Sequence, residues 1–521
     1  MISPISASEM AQPGRFTSRP GSARARAGVA ALLMVMGGRM SSAAALEPRS
    51  LTEPDVLREP AEVTRVVDAW QDGGGIDLHF TLGYQHTWKR ATLLRETQEP
   101  AVDGGTRRVP VARVSEDTSR LNMRAELGLY HDLALILRVP IVLSSSVTLE
   151  GRGAGAAALD GAPGGPLFSL PFSSPNRSGV EYLGVGVDWG ISNQAHDGLS
   201  PSLLVGAEAR FSVSEPMHAC GTVPGAGEAS ASVRCAYPAD INRNGVGGEY
   251  PAALFPEGEA SLEGALPGEP RRAGVSRGTT AIDLHAAISR RFASLEPYMA
   301  FGVALELPTD GSDFGRDRPW NEPPPLSGRF SVGTEIVPWE LVEQFQRISL
   351  DVRLSGTYRS AGRDYSALFD ALGSSGAISY RRPNFAGYQA NPDPSSRASA
   401  PSVVDPSSER VFATGLTEVG AHGAYALRLA ARWQAGQYVH FDAGGALALI
   451  QQHLITQGQP CDAARAVPPE RAGPCAGGVY GPSVAGAPDP SYRPETDLPG
   501  RRFLVDTATS IDAWVGATVM F

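Results

Sequence analysis

Twelve segments of this chain alternate apolar and polar residues with a period of two, and that repetition points to an all-β fold. In one of them Leu121, Met123, Ala125, Leu127 and Leu129 alternate with Arg120, Asn122, Arg124, Glu126 and Gly128. Successive strand residues point to opposite sides, so each segment has one apolar face and one polar face. The pattern predicts strands at 76–87, 119–130, 133–149, 179–194, 200–212, 278–292, 295–308, 326–339, 347–360, 411–434, 437–454 and 505–521.

The connections constrain the fold further. Links at 131–132, 195–199, 293–294, 340–346 and 435–436 are short, and they alternate with long ones at 88–118, 150–178, 213–277, 309–325, 361–410 and 455–504. A transmembrane antiparallel β-barrel of twelve strands, with short periplasmic turns and long extracellular loops, produces such an alternation. Several segments exceed the ~9–11 residues a spanning strand needs, so the wall is expected to rise above the bilayer on the outer side. After residue 45 no apolar stretch is long enough for a spanning helix, so any crossing falls to strands in a closed barrel. Aromatics near strand ends, among them Tyr84, Trp88, Tyr130, Trp189, Trp339, Tyr358 and Trp433, suit interfacial girdles.

Residues 1–45 read as a signal peptide: four arginines from Arg15 to Arg26, an apolar run from Ala27 to Met36, and Ala43-Ala44-Ala45. Residues 46–75 read as a periplasmic tail and 76–521 as the barrel with its loops. The chain carries a formal charge of −10, and removing the basic leader makes it more negative, which argues against nucleic acid as a partner.

In the last segment Phe521, Val519, Ala517, Val515, Ala513 and Ile511 form an apolar row opposite Asp512, Gly516 and Thr518. A final strand ending in phenylalanine with apolar residues at every second position resembles the assembly signature of Gram-negative outer-membrane β-barrel proteins. The resemblance implies export, insertion by the barrel-assembly machinery, and contact with outer-membrane lipid. Trp514 and Met520 depart from it by interrupting the polar face.

On lumen-facing positions Arg124 and Glu126, Glu208 and Arg210, and Asp351 and Arg353 bring both signs of charge together. They suit either a polar channel or a network of ion pairs that fills the barrel. In an exported chain Cys220–Cys235 and Cys461–Cys475 are expected as local disulfides within loops 213–277 and 455–504. Asp240, Asn242 and Asn244 have the spacing of the first half of a calcium loop, but Pro251 stands where the bidentate glutamate belongs, so an Asx-rich turn is the competing reading. Calcium is the one cofactor these residues suggest. Residues 367–372 have short helical character, a candidate cap over the mouth. No serine stands in sequence beside His453, which is outward by parity near the rim, as a barrel hydrolase would need, so no enzyme is expected.

Two functions follow. One is a passive, porin-like channel for small solutes. The other is a structural or interaction barrel of the cell envelope whose disulfide-pinned loops meet other envelope proteins.

Overall fold

A computed structural model describes residues 61–67, 77–98, 106–153, 155, 159, 166–196, 198–223, 232–235, 272–309, 311–316, 323–375, 380, 414–462, 487–488 and 491–521. Twelve antiparallel strands form the barrel: β1 (Leu78–Gln98), β2 (Thr106–Tyr130), β3 (Leu133–Gly151), β4 (Leu183–Ser192), β5 (Ser202–Phe211), β6 (Thr279–Ser289), β7 (Leu295–Pro308), β8 (Ser327–Leu341), β9 (Gln346–Arg359), β10 (His422–Gln434), β11 (Val439–Ile450) and β12 (Ala508–Met520). Each pairs with its sequence neighbour, and β12 closes the ring on β1 from His79↔Met520 to Arg90↔Thr509.

The outward face is apolar over a limited height. Phe80, Leu82, Leu137, Val187, Leu284, Phe301, Val352, Leu427, Leu447 and Val515 are all exposed. In water such a continuous belt would forfeit ~25 cal/mol for each Å² left uncovered, and in hydrocarbon the loss disappears. Exposed aromatics edge the belt on both sides: Tyr130, Trp189, Trp339, Trp433 and Tyr438 below, Trp88, Tyr358 and Tyr425 above, while Tyr84, in register with Val515, lies within it. Tyr425 and Trp433 are separated on β10 by roughly 26 Å of strand, which at a tilt of ~40° covers about 20 Å of the ~25 Å height of an outer-membrane belt. Among the described residues no helix is long and apolar enough to cross a membrane.

The short turns behave as expected. At 131–132 the chain reverses in two residues because Asp132 takes φ 50°, a left-handed conformation that aspartate tolerates. Its side chain accepts a 2.7 Å hydrogen bond from Asn193 of the adjacent turn.

The predicted loop 88–118 is different. β1 and β2 are 21 and 25 residues long, and most of that span is a strand pair projecting beyond the belt. The reason is an inversion of the alternation. Within the belt the inward residues are polar, but above it the inward positions are Ala91, Leu93, Ala112 and Val114, all buried, while Arg90 and Arg113 face out. A bulge at Leu93/Leu94 brings Pro110 opposite Leu94, an irregularity that accommodates its missing N–H. Beyond the end of β12 the free side of β1 is taken by residues 503–505, and these by residues 453–454. The predicted strands 411–434 and 437–454 are, by contrast, shorter than expected, at His422–Gln434 and Val439–Ile450. Thr417–Val419 pairs with Gly362–Asp364 in a separate small sheet, and His453–Leu454 with residues 503–505.

Candidate functional site

The lumen is lined by paired charges. Arg124 Nη2 lies 2.6 Å from Glu126, Arg210 Nε 2.7 Å from Glu208, and Arg353 Nη2 3.2 Å from Asp351. These are the sequence-predicted lumen residues, brought together because residues i and i+2 share a strand face. The register adds partners that spacing cannot reveal. Arg138 reaches Glu208 at 2.9 Å, Arg210 also reaches Asp283 at 3.4 Å, and Asp283 further pairs with Arg329. His285 lies between Asp188, at 2.9 Å, and Asp283, at 3.5 Å. Tyr298 donates its hydroxyl proton to Asp351 and accepts a 2.8 Å bond from Arg353 Nε. Charges removed from water need such partners, since a lone buried charge is strongly destabilising.

The periplasmic end holds a short stretch of the expected tail. Within the expected periplasmic tail 46–75, residues 61–67 pack against lumen-facing side chains near the lower rim of the barrel. The Ala61 N–H donates to Glu296 Oε1 at 2.7 Å, and Thr64 Oγ1 bonds Ser289 Oγ at 2.6 Å. Arg65 pairs with Glu126 at 3.5 Å, and Glu62 with Arg432, which also holds Glu335 at 3.1 Å. Val66 and Val67 are buried against Ala134, Leu204 and Ala287. The small side chains of that wall leave room for two valines, an apolar interruption of a polar lumen that the tail fills.

The extracellular end is closed by packed loops. Leu93 of β1, Val111 and Val114 of β2 and Leu149 of β3 form one apolar cluster with Leu167, Phe168, Leu368, Leu372, Ile455 and Phe503. At its centre is the helix Phe369–Gly373, buried over its whole length, which is the predicted 367–372 cap. Asp370 fastens it. Its Oδ1 accepts from Arg177 Nη2 at 2.5 Å and from the Cys220 N–H at 2.9 Å, and Arg177 also donates to the His218 carbonyl at 3.0 Å. Burial pushes the Asp370 carboxyl above its ordinary value, against the pull of Arg177 and the Cys220 N–H. Three loops therefore meet at one buried ion pair.

A second buried carboxylate, Asp364, pairs with Arg277 at 2.7 Å and Arg359 at 3.0 Å. Burial raises its pKa, but the two guanidiniums and the Tyr365 N–H outweigh that and hold it below the usual carboxylate range. A depressed folded-state pKa contributes stability above the unfolded value of ~3.9, lost as pH falls through the folded value. Acid below about pH 4 is thus expected to loosen segment 360–364 in a hydrogen-exchange titration, and Asp364→Asn should remove that step.

Cys220 and Cys235 stand opposite each other in the hairpin 220–223/232–235 and form the expected disulfide. Cys461 is also disulfide-bonded, while Cys475 lies outside the described residues. Asp240, Asn242 and Asn244, the candidate calcium ligands, lie outside them as well. Val515 and Phe521 face outward on and just beyond β12, and Trp514 points into the lumen beneath Arg428.

No protein-family model matches the chain, and no curated protein matches it. Among solved structures, an outer membrane channel from Pseudomonas putida F1 is similar at 9% identity, over 85% of this chain and 95% of that one, with a TM-score of 0.33. A FadL homologue from Pseudomonas aeruginosa overlaps 93% of this chain and 96% of its own, at 11% identity and a TM-score of 0.31. The outer membrane protease OmpT from Escherichia coli overlaps 86% and 96%, at 7% identity and a TM-score of 0.24. What decides the class is the molecule's own closed strand pairing, its apolar belt and its two aromatic girdles. The chain is an integral twelve-stranded β-barrel protein of the bacterial outer membrane.

Proposed function

We propose that the barrel is a gated channel for small solutes, shut in this conformation, with residues 61–67 as its movable element. The observation that carries the reading is the seat of that segment. It is held within a charged lumen by a few hydrogen bonds and ion pairs and by two buried valines, with no strand pairing to the wall. Each valine contributes ~1.5–3 kcal/mol by burial, offset by the cost of ordering the segment, so the closure is reversible in scale. The reading involves no catalytic step and no cofactor. Insertion by the barrel-assembly machinery, guided by Phe521, Val519, Ala517 and Val515, belongs to the same proposal.

The second reading, a structural barrel presenting its loops to other envelope proteins, draws on the apolar core that fills the mouth. Conductance in planar bilayers separates the two. Removing residues 61–67 from the refolded protein, combined with Arg177→Ala to loosen the cap, should raise channel activity at least severalfold. If the combined variant is as silent as the intact protein, the channel reading fails and the structural one stands.

A further inference from the structure

Arg428 of β10 is an exception to the pairing that fills the lumen. Among the described residues it forms an ion pair with no carboxylate, and its buried Nε has no hydrogen-bond partner. Its guanidinium lies instead over Trp514 of β12, with 4.1 Å from Cζ to the ring centroid. The Trp514 indole N–H is buried without a partner too. Directly across the β9–β10 register stands a second guanidinium, that of Arg353, which Asp351 neutralises at 3.2 Å. Two cations facing each other on adjacent strands repel, and two buried donors without acceptors lose their hydration uncompensated. A fold that only needed a filled lumen would be served better by a neutral side chain at 428.

The surroundings also explain how the pair is held. Gly444 of β11 lies against the Trp514 ring, and a side chain there would collide with it. Two further carboxylates stand on this wall: Asp442, opposite Arg432 and two same-face positions nearer the periplasm, and Asp512, in register with Arg428 across Ala446 of β11, whose Oδ1 accepts from Gln85 and Thr87.

We propose that Arg428 and the Trp514 N–H form an anion subsite midway along the lumen that takes small monocarboxylates. This deepens the channel reading by naming the solute class it would favour. The free Nε edge of a guanidinium matches a carboxylate in a two-point pairing, and the indole N–H adds a third donor. Because Arg353 already has its counter-charge in Asp351, and Asp442 and Asp512 both lower the local potential, the site tolerates at most one added negative charge, which favours a monoanion over phosphate.

The test uses the refolded full-length barrel in detergent, with trifluoroacetate as the probe and trifluoroethanol as the neutral control, followed by ¹⁹F relaxation. Trifluoroacetate should broaden in the presence of protein, acetate should reverse the broadening, and inorganic phosphate should compete less well. Arg428→Gln should weaken binding roughly tenfold or more, as expected for loss of a charge-assisted pair. Trp514→Phe, which keeps an aromatic ring and removes the N–H, should weaken it a few-fold, and heat-modifiable migration on gels confirms that each variant has folded. No acetate-reversible broadening, or equal broadening by the wild type and a folded Arg428→Gln, overturns the subsite. Conductance is read separately: a barrel that binds the probe but passes no current keeps the subsite and removes the channel reading.

Discussion

Arg177→Ala is expected to release the extracellular cap while leaving the barrel wall intact. Arg177 is buried, and it ties Asp370 of the cap helix to the His218 carbonyl beside the disulfide hairpin. Removing one member of a buried ion pair leaves the other charge uncompensated, which costs ~3–5 kcal/mol. That loss exceeds what a short helix of five residues, Phe369–Gly373, can replace by its own hydrogen bonds. Hydrogen exchange should therefore rise sharply at 369–373 and at 217–221, with little change in β9 and β10. The double variant Arg177→Ala, Asp370→Ala should recover part of the protection, because it removes the orphaned charge. Unchanged exchange at the helix in the single variant would show that the apolar cluster holds the cap without the ion pair.

Val515→Arg is expected to be the most damaging single change on the wall. Val515 is 57% exposed on the outward face of β12, between Ile511 and Phe521, where its surroundings are hydrocarbon. An arginine near the bilayer midplane costs ~2–4 kcal/mol in a transmembrane barrel. Ser355→Arg is the matched comparison, since Ser355 lies on the lumen-facing side of β9 beside polar neighbours. Reversible urea unfolding in lipid vesicles should show a loss of that size for the first variant and a clearly smaller one for the second. Equal losses would mean that the two faces of the wall have been assigned wrongly.

The barrel was legible in the sequence because lipid imposes its rule residue by residue. Every strand in the belt must present apolar side chains outward, so Leu121, Met123 and Ala125 announce themselves without any knowledge of their partners. The projecting half of the first hairpin was missed because the solvent changes partway along it. Above the belt water lies outside and an apolar core inside, so Leu93 and Val114 sit on the face that was polar lower down. A reading that follows one parity sees a strand end there.

The lumen was only half legible. Arg124 and Glu126 share a face by spacing alone, but Arg138 meets Glu208 only once β3, β4 and β5 are in register. The seat of residues 61–67 gave still less warning. The Ala61 N–H finds its acceptor on Glu296, 235 residues away, and seven residues without periodicity carry no mark of where they dock. Nothing in the sequence separates Arg428 from Arg432 on the same strand face, because lack of a partner is a property of three dimensions.

The long first hairpin has a consequence for life on a crowded surface. A strand pair standing clear of the membrane would ordinarily offer a row of bare amide and carbonyl groups, a template on which a neighbouring molecule could add a strand of its own. Here β3 follows β2 up to the pairing of Ala112 with Gly151, and residues 503–505, backed in turn by 453–454, lie along the other flank. Those flanking segments bear no lipid and line no lumen at mid-height. They act as hems: the wall is finished up to Glu96 on one flank and Val111 on the other, and the selvedge left to adjacent copies packed side by side in the membrane narrows to the hairpin tip at residues 97–98 and 106–110.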